Sequence, residues 1–285
     1  FLGILLSRHR LSTWRSDTEL SLLLAQHAGS KQTCTDELAS ELARTIQLAA
    51  RTSGAFDPTV APLVAAWDLR GNGQRPSVAM RQLALSQVGF ARLQVTGKRV
   101  RLEPGTGIEE GGFGKGAALD AARAVLTDLE CIEALLDLGG QVALTDGAAP
   151  RAIPLAHPDQ RDQVYLQLTL HAGESMATSA NTVQAKPNPG GNIGHLLDPR
   201  SGMPAADFGS MTVISRTALD ADALSTALFV MGPDVGLAFA EAQPDLEALV
   251  LRRAPAGIQI SYTSGLKGRI HLVPGSPMEP LVSTP

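Results

Sequence analysis

Apolar residues recur at helical spacing from Asp36 to Thr52 (Leu38, Leu42, Ile46, Ala49 and Ala50). This predicts an amphipathic helix, and Ser53-Gly54 ends it as a C-terminal glycine does. Helices are also predicted over Ser77–Ser86, Lys115–Leu129, Ala221–Phe229 and Val235–Ala242. Leu11 to Leu20 reads as a helix end followed by a loop. In it Ser16 and Glu19 have capping-box spacing for a further short helix. Val164, Leu166, Leu168 and Leu170 alternate as in a half-buried strand. Leu93–Val95 and Arg99–Leu102 flank Thr96-Gly97-Lys98 and predict a hairpin. Glu133–Leu138 leads into Gly139-Gly140. Gln141–Leu144, Met211–Ser215, Leu246–Arg252 and Gly257–Tyr262 read as strands. Gly54–Thr59, Arg70–Pro76, Met176–Asn181 and Lys186–Asn192 read as loops, and the last as a mobile one. Hairpins and interspersed helices, without a regular βαβ series or an internal repeat, place the chain in the α+β class: mixed sheets packed with helices.

Composition narrows the picture. With 285 residues, 44% of them apolar, the chain is long enough for one large domain or two closely fused ones. The net charge is −4 and no Lys/Arg block stands out, so no nucleic-acid surface is expected. No stretch approaches the ~20 apolar residues of a membrane span. Phe1–Leu6 is too short for a signal peptide core, so the chain is expected to begin inside a longer protein. Cys34 and Cys131 form no metal motif. They read as free thiols or a single chance pair.

Four segments could carry chemistry. Gly111-Gly112-Phe113-Gly114-Lys115-Gly116 opens a helix, where glycines let backbone approach a phosphate and free N–H groups face it. Its spacing matches neither a Walker loop nor a dinucleotide fingerprint, and a tight turn before a helix has the same signature. Asp222 and Thr226 lie four apart on one helix face and offer the hard oxygens Mg²⁺ prefers. A capping Asp with a back-bonded Thr reads the same way. His195 precedes the turn Asp198-Pro199-Arg200-Ser201-Gly202, where it can orient a phosphate, accept a proton or simply bond to a backbone carbonyl. Trp14 is one of two tryptophans in a chain with 4% aromatics, and either stacks on a flat ring or packs in the core.

Taken in order, these segments resemble the ApbE family, the FAD:protein FMN transferases. The similarity runs from Leu11 to about Tyr262. It includes Ser12–Glu19, Gly54-Ala55-Phe56-Asp57-Pro58-Thr59-Val60 with Trp67, Glu109–Gly116 and Leu138-Gly139-Gly140. It continues through Ala177-Thr178-Ser179, His195–Gly202 and Ala221–Leu228. The resemblance implies a single ApbE-like domain over 1–285, with an FAD cleft between two closely fused lobes. The family's Met-Gly-Thr strand near the start is absent, so the beginning of the domain is expected upstream of Phe1. Glu109-Glu110 replaces the usual Asp and apolar residue, and Ala180 replaces a usual Gly.

The resemblance also implies roles. Asp222 and Thr226 would bind Mg²⁺ with the Gly112 carbonyl. Trp14, Ala55, Phe56, Asp57, Glu109, Lys115, Ser179, His195 and Leu197 would contact FAD, which is the substrate. His195 and Asp222 would serve catalysis. The partner would be an acceptor protein presenting a Thr or Ser hydroxyl, and the location periplasmic or membrane-anchored. A Mg²⁺-dependent FAD diphosphatase, a flavin-binding protein without catalysis and a domain that binds no flavin are the competing readings.

Overall fold

The computed structural model describes residues 10–26, 29–181, 192–273 and 281–283. In chain order it holds α1 (Glu19–Ala25), β1 (Gln32–Thr33), α2 (Asp36–Arg51), α3 (Ala61–Ala66), α4 (Val78–Ser86), β2 (Leu93–Thr96) and β3 (Arg99–Leu102). Then come α5 (Gly114–Asp128), β4 (Leu135–Leu138), β5 (Gln141–Leu144), β6 (Arg151–Ala156), β7 (Val164–Leu170) and β8 (Ser175–Ser179). The chain continues through β9 (Leu197–Asp198), β10 (Met203–Pro204), β11 (Gly209–Ser215), α6 (Ala218–Met231) and α7 (Pro233–Glu241). It closes with β12 (Glu247–Ala254), β13 (Gly257–Tyr262), β14 (Ile270–Leu272) and β15 (Leu281–Ser283). No helix among the described residues is long and apolar enough to cross a membrane.

A seven-stranded sheet of order β15-β13-β12-β11-β8-β5-β4 organises the molecule; its pairings are antiparallel except β13 with β15. Every residue of β11 is buried, because both faces of the sheet are covered. Met211 and Val213 point into the core shared with α2 and α6, as do Ala248 and Val250 of β12. Ile214, Leu249 and Leu251 point the other way, against Ile153, Leu155, Leu166, Leu168 and Leu170 of the small sheet β14-β7-β6. This period of two is what the pleat demands. A second three-stranded sheet, β1-β3-β2, lies beside α2.

Several expectations are corrected. Thr18, not Ser16, caps α1, accepting from the Ser21 N–H at 3.1 Å. Glu19 reaches out instead to Thr35, the cap of α2, accepting from its N–H at 2.6 Å and its hydroxyl at 2.8 Å. Met176–Ser179 is not a loop but all of β8 save its first residue, since small side chains let α6 lie close against a central strand. The strand β6 escaped notice because Pro154 interrupts it. Pro is tolerated there because β6 is the edge of its sheet. The apolar run before Trp67 forms α3, with Pro at its start. The predicted loop at Lys186–Asn192 lies, save Asn192, outside the described residues. Cys34 is buried, Cys131 half-buried, and both are free.

Two helices set the site. The Asp120 carboxylate on α5 accepts from the Ala218 and Leu219 N–H groups, both at 2.9 Å, and so caps α6. In return Asp222 on α6 accepts from the Gly116 N–H at 3.0 Å and from the Lys115 N–H, and so caps α5. Each negative charge sits at the positive end of the other helix. The approach is possible because residue 116 is glycine. A Cβ there would lie 2.2 Å from the Ala218 carbonyl oxygen and 2.6 Å from the Leu219 Cα. Gly116→Ala is therefore expected to cost about 3 kcal/mol, at the upper end of overpacking penalties. Asp120→Ala should cost about 2 kcal/mol, from two orphaned N–H groups. Equilibrium urea unfolding measures both, and wild-type stability in either variant would contradict the reciprocal capping.

Candidate functional site

Every residue given a metal, flavin or catalytic role from the sequence lines one cleft of about 810 Å³. That size lies within the ~300–1,000 Å³ typical of small-molecule sites. The deepest polar groups come from α6. Asp222 is almost fully buried, and burial pushes its carboxyl up, while the Lys115 cation and the N–H groups of Gly116 and Lys115 oppose that shift. It does not cap its own helix, because Thr217 caps α6 and Asp222 lies in the next turn; its capping bonds go to α5. Thr226 sits one turn further along. A Cβ on Gly112 would approach the Thr226 Oγ1 to 3.4 Å and the Phe56 ring to 3.3 Å, so the glycine turn lies directly against the hydroxyl. Ser179, at the end of β8, hydrogen-bonds to the Ser225 hydroxyl at 2.9 Å and contacts the Thr226 hydroxyl at 3.5 Å.

These groups fit a small hard cation. Among the described residues no group of three His, Cys, Asp or Glu side chains could hold a metal. The available donors are one carboxylate, one hydroxyl and the carbonyl of a glycine turn, all oxygen. That set leaves an octahedral ion most of its shell for water and phosphate, which is how Mg²⁺ is usually held. One expectation changes. The helix entered from the glycines was read as offering its N–H groups to a phosphate, but those of Lys115 and Gly116 go to Asp222. The Lys115 side chain remains as a cation lining the cleft.

The walls come from separate loops. Ala55 and Phe56 are buried, and Phe56 packs edge-on against Phe113 with ring centres 6.5 Å apart. Asp57 lines the cleft, but its carboxylate is turned to its own loop. One oxygen accepts from the Thr59 N–H (2.8 Å) and hydroxyl (2.6 Å), the other from the Phe90 N–H (2.7 Å). What Asp57 brings to the site is the shape of that loop. His195 and Leu197 stand on the opposite strand segment, anchored where Trp67 donates to the Gly202 carbonyl at 2.9 Å. The His195 ring is half-buried, and its Nδ1 is buried with no hydrogen-bond partner among the described residues. Burial lowers its pKa from 6.5 to about 4, with Lys115 adding to the effect and a hydrogen bond to the Asn181 backbone opposing it. The imidazole is therefore neutral at pH 7.

At the mouth lie Trp14, which is 68% exposed, and two residues the sequence left without a role. Arg70, read as part of a surface turn, forms an ion pair with Glu109 at 2.7 Å and lies over the Trp14 ring. Glu110, unexplained beside a phosphate site, turns away to Thr13, accepting from its N–H at 2.8 Å and from its hydroxyl. Neither partner is near in sequence, so no local pattern announced these contacts.

The ApbE family model matches residues 6–250. An FAD:protein FMN transferase from Rhodobacter capsulatus is 32% identical over 269 residues, covering 92% of this chain and 51% of that protein. The chain thus spans about half the length of that relative. One from Vibrio cholerae is 28% identical over 270 residues, covering 90% and 79%. Among solved structures, the apo flavinyl transferase ApbE of Pseudomonas stutzeri superposes with a TM-score of 0.79 at 30% identity, covering 92% of this chain and 84% of that one. The ApbE protein of Thermotoga maritima gives 0.84 at 27%, covering 94% and 90%. With the family model covering most of its length and a cleft built from the motifs in the family's order, the chain belongs to the ApbE family.

Proposed function

We propose that this chain transfers the FMN half of FAD to a Thr or Ser hydroxyl of an acceptor protein, releasing AMP. The observation that carries the reading is the oxygen set of Gly112, Asp222 and Thr226 beside Lys115, inside a cleft large enough for a dinucleotide. The relatives named above as FAD:protein FMN transferases support it. The acceptor oxygen attacks the FMN phosphorus, the phosphoanhydride bond to AMP breaks, and AMP carries away the electron pair. Mg²⁺, held by Asp222, Thr226 and the Gly112 carbonyl, would supply charge neutralisation on the diphosphate when bound. Lys115 adds a fixed positive charge at the same place. We read His195, whose ring is neutral, as the group that takes the hydroxyl proton, with an acid near the metal as the alternative. A periplasmic or membrane-anchored location goes with this reading and rests on the family resemblance alone.

Incubation with FAD, Mg²⁺ and candidate acceptor proteins, followed by mass spectrometry, should show one added FMN and equimolar AMP. FMN and AMP without a protein adduct would instead indicate a diphosphatase, and bound FAD that never yields AMP a non-catalytic binder. Asp222→Ala should lower transfer by about a hundredfold or more, the scale of losing a group that acts on the developing charge. Asp222→Asn, which keeps an oxygen for the Gly116 N–H, should do so with near-native circular dichroism. Transfer at the wild-type rate by the Asn variant would count against the reading.

His195 stays neutral in the fold down to about pH 4, whereas in the unfolded chain it takes a proton near 6.5. Its share of stability is thus intact above the unfolded value and is lost as pH falls toward the folded one. Urea unfolding at pH 7 and pH 5 should show a loss of about 2 kcal/mol attributable to this ring. His195→Gln should remove that share of the slope, and an unchanged slope in the variant would contradict the assignment.

A further inference from the structure

Trp14 is the exposed aromatic of the cleft, yet its loop is not free. Glu110 accepts from the Thr13 N–H at 2.8 Å and from the Thr13 hydroxyl. Arg70 donates to the Thr13 carbonyl at 3.1 Å and to the Thr13 hydroxyl, while its remaining N–H groups hold Glu109 at 2.7 and 3.1 Å. The guanidinium carbon stands 4.9 Å from the centre of the Trp14 ring, within cation–π range. All three charged side chains are at least two-thirds shielded from solvent. A planar fork that serves a carbonyl, a hydroxyl, a carboxylate and an indole face at once is a geometry lysine cannot reproduce.

We infer that Arg70, braced by Glu110, is a positioning residue that fixes the Trp14 indole as a platform for the flat ring of the ligand. The inference rests on the reading of the cleft as a flavin site. The latch orders the indole before the ligand arrives, so binding does not have to supply that entropy. It also ties the platform to the glycine turn, because Glu110 and Gly112 belong to the same short 3-10 helix. A ligand lacking the ring gains nothing from the latch.

Two measurements on Arg70→Gln and Arg70→Lys test this. In the ligand-free protein, time-resolved tryptophan anisotropy should show a faster local component in both variants. Trp67 is buried, so the new motion reports Trp14. In binding titrations both variants should lose about fivefold in affinity for FAD and FMN, the scale of one cation–π contact, and keep wild-type affinity for ADP. Equal losses for FAD and ADP would show that Arg70 acts on phosphate charge and would overturn the latch. So would tighter FAD binding, which would mean that Arg70 covers the platform, full rescue by Lys, or an unchanged anisotropy decay. A wild-type chain that binds ADP and FAD equally well would overturn both the latch and the reading of the cleft as a flavin site, even if the anisotropy changed.

Discussion

Two helix N-termini meet at Gly116, and each is capped by a carboxylate from the other. Asp120 holds the start of α6, and Asp222 holds the start of α5. Everything the site does follows from this exchange. A buried carboxylate is costly unless its charge is answered. Asp222 is met on one side by two N–H groups and on the other by Lys115, which oppose the upward push of burial on its carboxyl, in a hollow with the Thr226 hydroxyl and the glycine turn nearby. Removing the close approach would separate the groups as well as loosen the fold.

The seven-stranded sheet explains why the exchange is rigid. Both of its faces are packed, so α6 can neither tilt away from β8 nor slide along it without opening a core. Ser179 at the end of β8 touches the hydroxyls of Ser225 and Thr226, which fixes the rotation of α6 relative to the sheet. The outer parts of the cleft are built differently. Trp14, the Ala55–Asp57 loop and the His195 segment stand on loops, each tied by long-range polar contacts. Rigid elements hold the charges where phosphoryl chemistry would occur, and latched loops would receive the rest of the ligand.

Much of this was legible in the sequence, for identifiable reasons. The α2 helix is strongly amphipathic, the Gly97 hairpin carries its turn residue, and the Asp222–Thr226 spacing survives any change of register. The rest was hidden where the signal is not local. The Ser175–Ser179 strand has small side chains and no alternation, because it lies under a helix that is itself buried on nearly every side. The helix N-terminus at the glycines looked open to phosphate because its occupant, Asp222, lies about a hundred residues away. Arg70 looked like a surface turn residue because Thr13, Trp14 and Glu109 converge on it only in the folded chain.

On the proposed reading, one cation is shared by α6, the glycine turn and the diphosphate of a dinucleotide. Crystals grown with FAD and Mn²⁺ in place of Mg²⁺, measured at the manganese absorption edge, test it most directly. The predicted result is one strong anomalous peak within bonding distance of the Asp222 carboxylate, the Thr226 hydroxyl and the Gly112 carbonyl, with FAD phosphate oxygens completing the shell. FAD seated in the cleft with no such peak, or a peak elsewhere, would contradict the account.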